Sequence, residues 1–271
     1  MTIPLEPILK RERALVIGAL AGIVALAWIY ILAGAGTGMT APEMSALPTA
    51  AGLSEAMAAM QPMPWTAGYA ALMLVMWWLM MAAMMLPSAA PTILLYAAVM
   101  RKQQQTATYY VPATIFAAGY LTLWGAFGVL AVLLQWGLER IALLSAAMVV
   151  TSLAIGSLLL IGAGLWQFTP WKYACLNHCR SPLQFIAYRW RQGSAGAFRM
   201  GLEHGAYCLG CCWVLMLLLF YGGVMNVYWI AGLTTLVLIE KIAPGGPLIG
   251  KLIGIALIGW GTALLAAILF A

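Results

Sequence analysis

All five cysteines of the chain fall between Cys175 and Cys212, in two groups. The first is Cys175-Leu-Asn-His178-Cys179. The second is His204-Gly-Ala-Tyr-Cys208-Leu-Gly-Cys211-Cys212, and the two groups hold both histidines of the protein. Thiolate and imidazole select Cu(I), Zn(II) or an iron–sulfur cluster over magnesium or calcium. If the second group is helical, Cys208, Cys211 and Cys212 share one face, with His204 one turn before Cys208. A helical turn would also align Cys175 with Cys179. Cys208, Cys211 and Cys175 are the first candidates as metal ligands, followed by Cys179 and Cys212, then His178 and His204. Two of the cysteines could be plain buried hydrophobes. No Cys-x-x-Cys-His is present, so a c-type haem is not indicated.

Thioethers are a second soft-ligand supply among the 17 methionines. Met57, Met60 and Met63 stand three apart in a segment without Lys or Arg, an arrangement suited to collecting Cu(I). Met76, Met80 and Met84 repeat every four residues and would form a stripe along a helix, extended by Met73. Such a stripe could relay Cu(I) through a membrane. Ordinary apolar filling explains it equally simply.

These groups sit in a chain that is 65% apolar and 7% charged, against ~25% charged in a soluble domain. That excludes a water-soluble enzyme. Asp is absent, which rules out aspartic dyads and Ser-His-Asp triads, and no nucleotide-binding fingerprint is present. The class is an all-α, polytopic helical membrane protein. Apolar runs of ~20 residues place about seven transmembrane helices near 14–33, 65–100, 110–134, 145–168, 205–224, 226–242 and 252–270. The sixth is weakened by Thr234, Thr235 and Glu240. Pro87 and Pro91 should kink or break the second, which would be about 54 Å long if fully helical.

Basic residues set the orientation. With the N-terminus cytoplasmic, Lys10, Arg11, Arg13, Arg101, Lys102, Lys172, Arg180, Arg189, Arg191, Arg199, Lys241 and Lys251 all lie inside. Arg140 falls outside, where it could pair with Glu139. The positive charge then reads as topology and attraction to membrane lipids, with no support for nucleic-acid binding. The chain 1–271 is one transmembrane domain, with a Met-rich external segment at 34–64 and a basic cytoplasmic loop at 169–204. Both cysteine groups then lie on the cytoplasmic side, where a structural disulfide is disfavoured. Glu203 either neutralises a bound cation or pairs with Arg199. Glu240-Lys241 reads as the solvated end of the sixth span. Gly201 and Gly205, with Gly210 beyond, allow close helix approach.

Three stretches carry a family resemblance: Met76-Trp-Trp-Leu-Met-Met-Ala-Ala-Met-Met-Leu-Pro87, Lys172-Tyr-Ala-Cys-Leu-Asn-His-Cys-Arg-Ser-Pro182 and Gly205-Ala-Tyr-Cys-Leu-Gly-Cys-Cys-Trp-Val-Leu-Met216. They resemble an uncharacterised bacterial family of predicted metal-binding integral membrane proteins, over most of the chain from about residue 65. The resemblance implies metal binding in a bacterial inner membrane. It fixes neither the metal nor a reaction.

The expectation is a non-enzymatic protein that binds copper as Cu(I) and transfers it across the membrane or delivers it to a membrane cuproenzyme. One alternative is an accessory subunit of a larger membrane complex with a structural zinc. Another is a membrane thiol oxidoreductase using Cys208 and Cys211.

Overall fold

The computed structural model describes residues 5–36, 45, 64–103, 110–145 and 148–270. Among them the fold is all-α: α1 (Leu5–Leu32), α2 (Ala67–Gln103), α3 (Tyr110–Arg140), α4 (Leu153–Trp166), α5 (Pro170–Arg180), α6 (Pro182–Arg189), α7 (Gly193–Gly222), α8 (Val227–Ile242) and α9 (Gly246–Phe270). Helices are what a sequence this apolar must form in lipid, because each helix satisfies its own backbone polar groups. Met57, Met60 and Met63, and nearly all of the external segment, lie outside the described residues.

Five helices contain stretches long and apolar enough to cross a membrane: Ala14–Leu32, Ala67–Arg101, Pro112–Arg140, Gly193–Gly222 and Gly246–Phe270. A sixth crossing exists if α4 and α5, bent by 62° at their junction, count as one. Among the described residues, seven full crossings are not found. The expected sixth span is α8, whose 16 residues rise only about 24 Å, short of a ~30 Å core.

The fourth expected span also begins later than its hydropathy suggests. Met148 takes a positive φ of 57°, and the Ser145 hydroxyl accepts from the Val149 amide. The Val150 amide donates to the Phe220 carbonyl at 2.8 Å, tying this stretch to the end of α7. The helix starts only where Ser152 caps the Ile155 amide. It ends at Trp166, and Thr169 caps the next helix through the Lys172 amide, with Pro170 at its first position. The expected loop at 169–204 is therefore mostly α5, α6 and the start of α7.

The expected kink or break in the second span is not a break. α2 runs without interruption through Pro87 and Pro91. Near the prolines, the Met85 carbonyl accepts from the Ser88 hydroxyl at 2.8 Å and from the Tyr120 hydroxyl at 3.0 Å, so neighbouring side chains supply bonds to this part of the backbone.

The bundle is built around α7. Its most extensive packing is with α3, and α5 also lies against it. Glycines permit the α3–α7 approach: a Cβ at Gly201 would collide with the Phe116 carbonyl, and one at Gly119 with the Phe198 carbonyl. Helix packing is thus the role of Gly201. By contrast, a Cβ at Gly232 on α8 would meet nothing within 4 Å. Thermal unfolding of the detergent-purified protein should show Gly201→Ala destabilised by about 1–3 kcal/mol through overpacking. Gly232→Ala should be neutral or stabilised by up to about 1 kcal/mol.

Candidate metal centre

Helices α2, α3, α5, α7 and α8 converge on the cysteines. Cys208, Cys211 and Cys212 occupy one buried face of α7, each no more than 1% exposed. The Cys211 and Cys212 thiols both donate to the Cys208 carbonyl at 3.0 Å. α5 supplies the other group. Cys179 is buried, on the helix that packs against α7. Cys175 is half-buried, and its sulfur lies so close to Gly210 that a Cβ there would come within 2.6 Å of it. The two groups therefore meet, with Gly210 making room for Cys175. All five thiols are free.

The two histidines differ in their surroundings. His178 is exposed; its ring stacks on Tyr207 at 4.1 Å, and its Nδ1 contacts the Ala174 carbonyl at 2.8 Å. His204 is buried among Phe116, Tyr120 and Phe185, and its Nδ1 has no hydrogen-bond partner.

On the far side of Cys212 lies the methionine face of α2. The Cys212 thiol is 3.9 Å from the Met85 sulfur. Met73, Met76, Met80, Met81, Met84 and Met85 are all fully buried. Met85, one residue off the stripe of Met76, Met80 and Met84, is the thioether that touches the thiols. At the other end of the face, the Gln135 amide donates to the Met73 sulfur at 3.6 Å and to Glu139 at 3.0 Å. Glu139 also accepts from the Trp65 indole at 2.5 Å, while Arg140 lies over the Trp136 ring at 4.9 Å. The expected Glu139–Arg140 pairing is replaced by these contacts.

A polar cluster overlooked in the sequence borders the thiols. Glu240 and Lys241 were expected to be a solvated helix end, yet they are 1% and 5% exposed. Lys241 Nζ donates to the Cys208 sulfur at 2.8 Å and to the Ser88 hydroxyl at 3.2 Å. The Tyr120 hydroxyl lies 3.0 Å from the same sulfur. Glu240 pairs instead with Lys172 at 2.6 Å, both side chains at most 2% exposed. Lys172 also donates to Gln167 at the α4–α5 bend, and Arg180 holds the Glu240 and Pro244 carbonyls. The signal was available: ionisable residues inside an apolar run are costly and mark function. Glu203 takes the structural option, bonded to Arg191 at 3.0 Å and near Arg199 at 3.5 Å.

Chemically, this is a set of buried soft sulfurs on α2, α5 and α7, with Cys212 and Met85 in contact. Among the described residues, no three His, Cys, Asp or Glu side chains form a group that could hold a metal ion as they stand. Thiols bonded to the Cys208 carbonyl would have to turn away from it to bind an ion. Cu(I) can be held by few soft ligands, whereas structural zinc is almost always held by four.

The comparisons give the family. The chain belongs to the PpoB2 family, described as copper chaperones, whose model matches residues 74–264. No curated protein and no solved structure matches the chain. The family's described role is that of a carrier and not a catalyst, with copper as cargo. The matched range includes the methionine face, both cysteine groups and the Lys172–Glu240 pair.

Removing one member of a buried ion pair leaves the other charge unanswered. Glu240→Gln should therefore destabilise the protein by about 3–5 kcal/mol. Lys172→Met combined with Glu240→Met should recover most of that loss. Unfolding free energies of the two variants against wild type, in the same detergent, check the difference.

Proposed function

We propose that this protein is a membrane-embedded Cu(I) carrier that takes copper on its thiols and passes it along α2 towards a membrane cuproenzyme. Cys175, the partly exposed thiol, receives the ion. Cys179, Cys211, Cys208 and Cys212 hold it in turn by ligand exchange, since the three α7 thiols share one buried face and α5 packs against that helix. The observation that carries the reading is the 3.9 Å contact from Cys212 to Met85, which joins the thiols to the buried thioethers of α2. From there Met84, Met80 and Met76 offer soft ligands at one-turn spacing, and exchange among them avoids exposing a bare charge to hydrocarbon. His178 and His204 are auxiliary in this scheme, because one ring stacks on Tyr207 and the other is buried among Phe116, Tyr120 and Phe185. Met57, Met60 and Met63 are proposed as further soft ligands that collect Cu(I).

The basic residues favour placing the thiol end on the cytoplasmic side of a bacterial inner membrane. A reducing cytoplasm also supplies copper as Cu(I) and keeps the thiols free.

Elemental analysis of the purified chain after anaerobic Cu(I) loading tests the assignment. Wild type should hold about one copper, and Cys208→Ser with Cys211→Ser should hold almost none, as expected for a thiolate site. Zinc in place of copper would support the accessory-subunit alternative instead. A redox-active thiol pair without metal would support the oxidoreductase. The thioether route is tested separately by Met76→Leu, Met80→Leu and Met84→Leu together, which conserve apolar volume. This triple variant should load copper normally and lose most copper delivery to a membrane cuproenzyme in cells. Unchanged delivery would mean that those side chains only pack.

A further inference from the structure

We propose that Lys241 selects the charge of the cargo: its buried ammonium favours a singly charged soft ion beside Cys208 and disfavours a doubly charged one. The inference rests on the reading of Cys208 as a cargo ligand and adds the means by which copper is told apart from zinc. Thiols alone are poor at this, because they bind both metals well.

The geometry supplies a fixed positive charge next to the proposed ligand. Lys241 Nζ is 2.8 Å from the Cys208 sulfur and 3.2 Å from Ser88, and the residue is 5% exposed. The groups around it come from four other helices: Ser88 on α2, Tyr120 on α3, Cys179 on α5, and Cys208 on α7 with Cys211 and Cys212 close by. None of these carries a compensating carboxylate. The adjacent carboxylate, Glu240, is directed to Lys172 at 2.6 Å. The Glu240–Lys172 pair therefore leaves the Lys241 charge facing the sulfurs.

An ion bound by Cys208 would sit within a few ångströms of this ammonium. Whatever the charge on the thiols, raising the ion's charge from one to two adds one further unit of repulsion. At about 4 Å and an effective dielectric near 20, that unit corresponds to about 1,000-fold in binding. Partial withdrawal of the flexible lysine would reduce the factor, so at least about 30-fold is expected.

The test uses the full-length protein in detergent, with Cu(I) and Zn(II) affinities measured by competition against chromophoric chelators. Lys241→Gln keeps a hydrogen-bond donor and removes the charge; it should lower the preference for Cu(I) over Zn(II) by at least about 30-fold. Lys241→Arg keeps the charge and should hold the preference within about threefold of wild type. An unchanged preference in the glutamine variant, or its loss in the arginine variant, overturns the proposal. A measurement on wild type alone guards against a variant that does not fold. Ag(I) and Cd(II) are both soft and differ in charge; Ag(I) should displace Cu(I) far more readily than Cd(II) does, and equal displacement overturns the proposal. Cys208→Ser separates the two layers of argument. If it abolishes Cu(I) binding while Lys241→Gln leaves the preference intact, the carrier reading stands and the charge filter falls. If Cys208→Ser binds Cu(I) like wild type, Cys208 is not a cargo ligand and both fall.

Discussion

The contact between Lys241 and Cys208 is possible because two other charges are already matched. A buried ammonium loses several kcal/mol of hydration, which only close partners can offset. Lys172 finds Glu240, and Arg180 finds the carbonyls at the end of α8. The bend between α4 and α5 brings Lys172 to this position, and α8 ends where Glu240 meets it. The same bend lays α5, with Cys179, against α7. The polar cluster and the thiols are thus positioned by one piece of backbone geometry. Disturbing the ion pair should reach the thiols through both α5 and α8.

Short elements follow from this requirement. α4, with 14 residues, cannot reach both membrane faces, since it rises only about 21 Å. Continuing it straight would carry Lys172 away from Glu240. Thr169 and Pro170 end it and redirect the chain, and Thr169 caps the helix that follows. α8 is likewise short because its end must place two adjacent side chains, Glu240 and Lys241, on different partners inside the bundle. The long spans α2 and α7 carry the methionine face and three of the cysteines, whereas the short α5 and α8 carry the buried charges and α5 adds the other two cysteines.

The all-helical class and the shared face of the α7 cysteines were legible because they depend on composition and local spacing. Apolar runs mark α1, α2, α3, α7 and α9, and the i, i+3, i+4 pattern aligns Cys208, Cys211 and Cys212. What was not legible depends on contacts distant in sequence. Lys172 looked like a topology charge until its partner 68 residues away came into view. Lys241, 33 residues from Cys208, looked like a solvated helix end for the same reason. Both were counted among the cytoplasmic positive charges, and both are buried. Pro87 and Pro91 suggested a kink or break, yet α2 continues through both as one helix, which local spacing does not reveal. Met85 escaped the four-residue stripe, yet tertiary packing sets it against Cys212.

A carrier's site has a different optimum from a structural metal site. A preassembled set of four ligands gains affinity because little has to move on binding, and for the same reason it releases slowly. Here the Cys211 and Cys212 thiols bond to the Cys208 carbonyl, and Lys241 bonds to the Cys208 sulfur. If these thiols hold the cargo, as proposed above, those bonds are given up on loading and regained on release. They would then lower the affinity and shorten the residence time together, since affinity differences are mostly differences in off-rate.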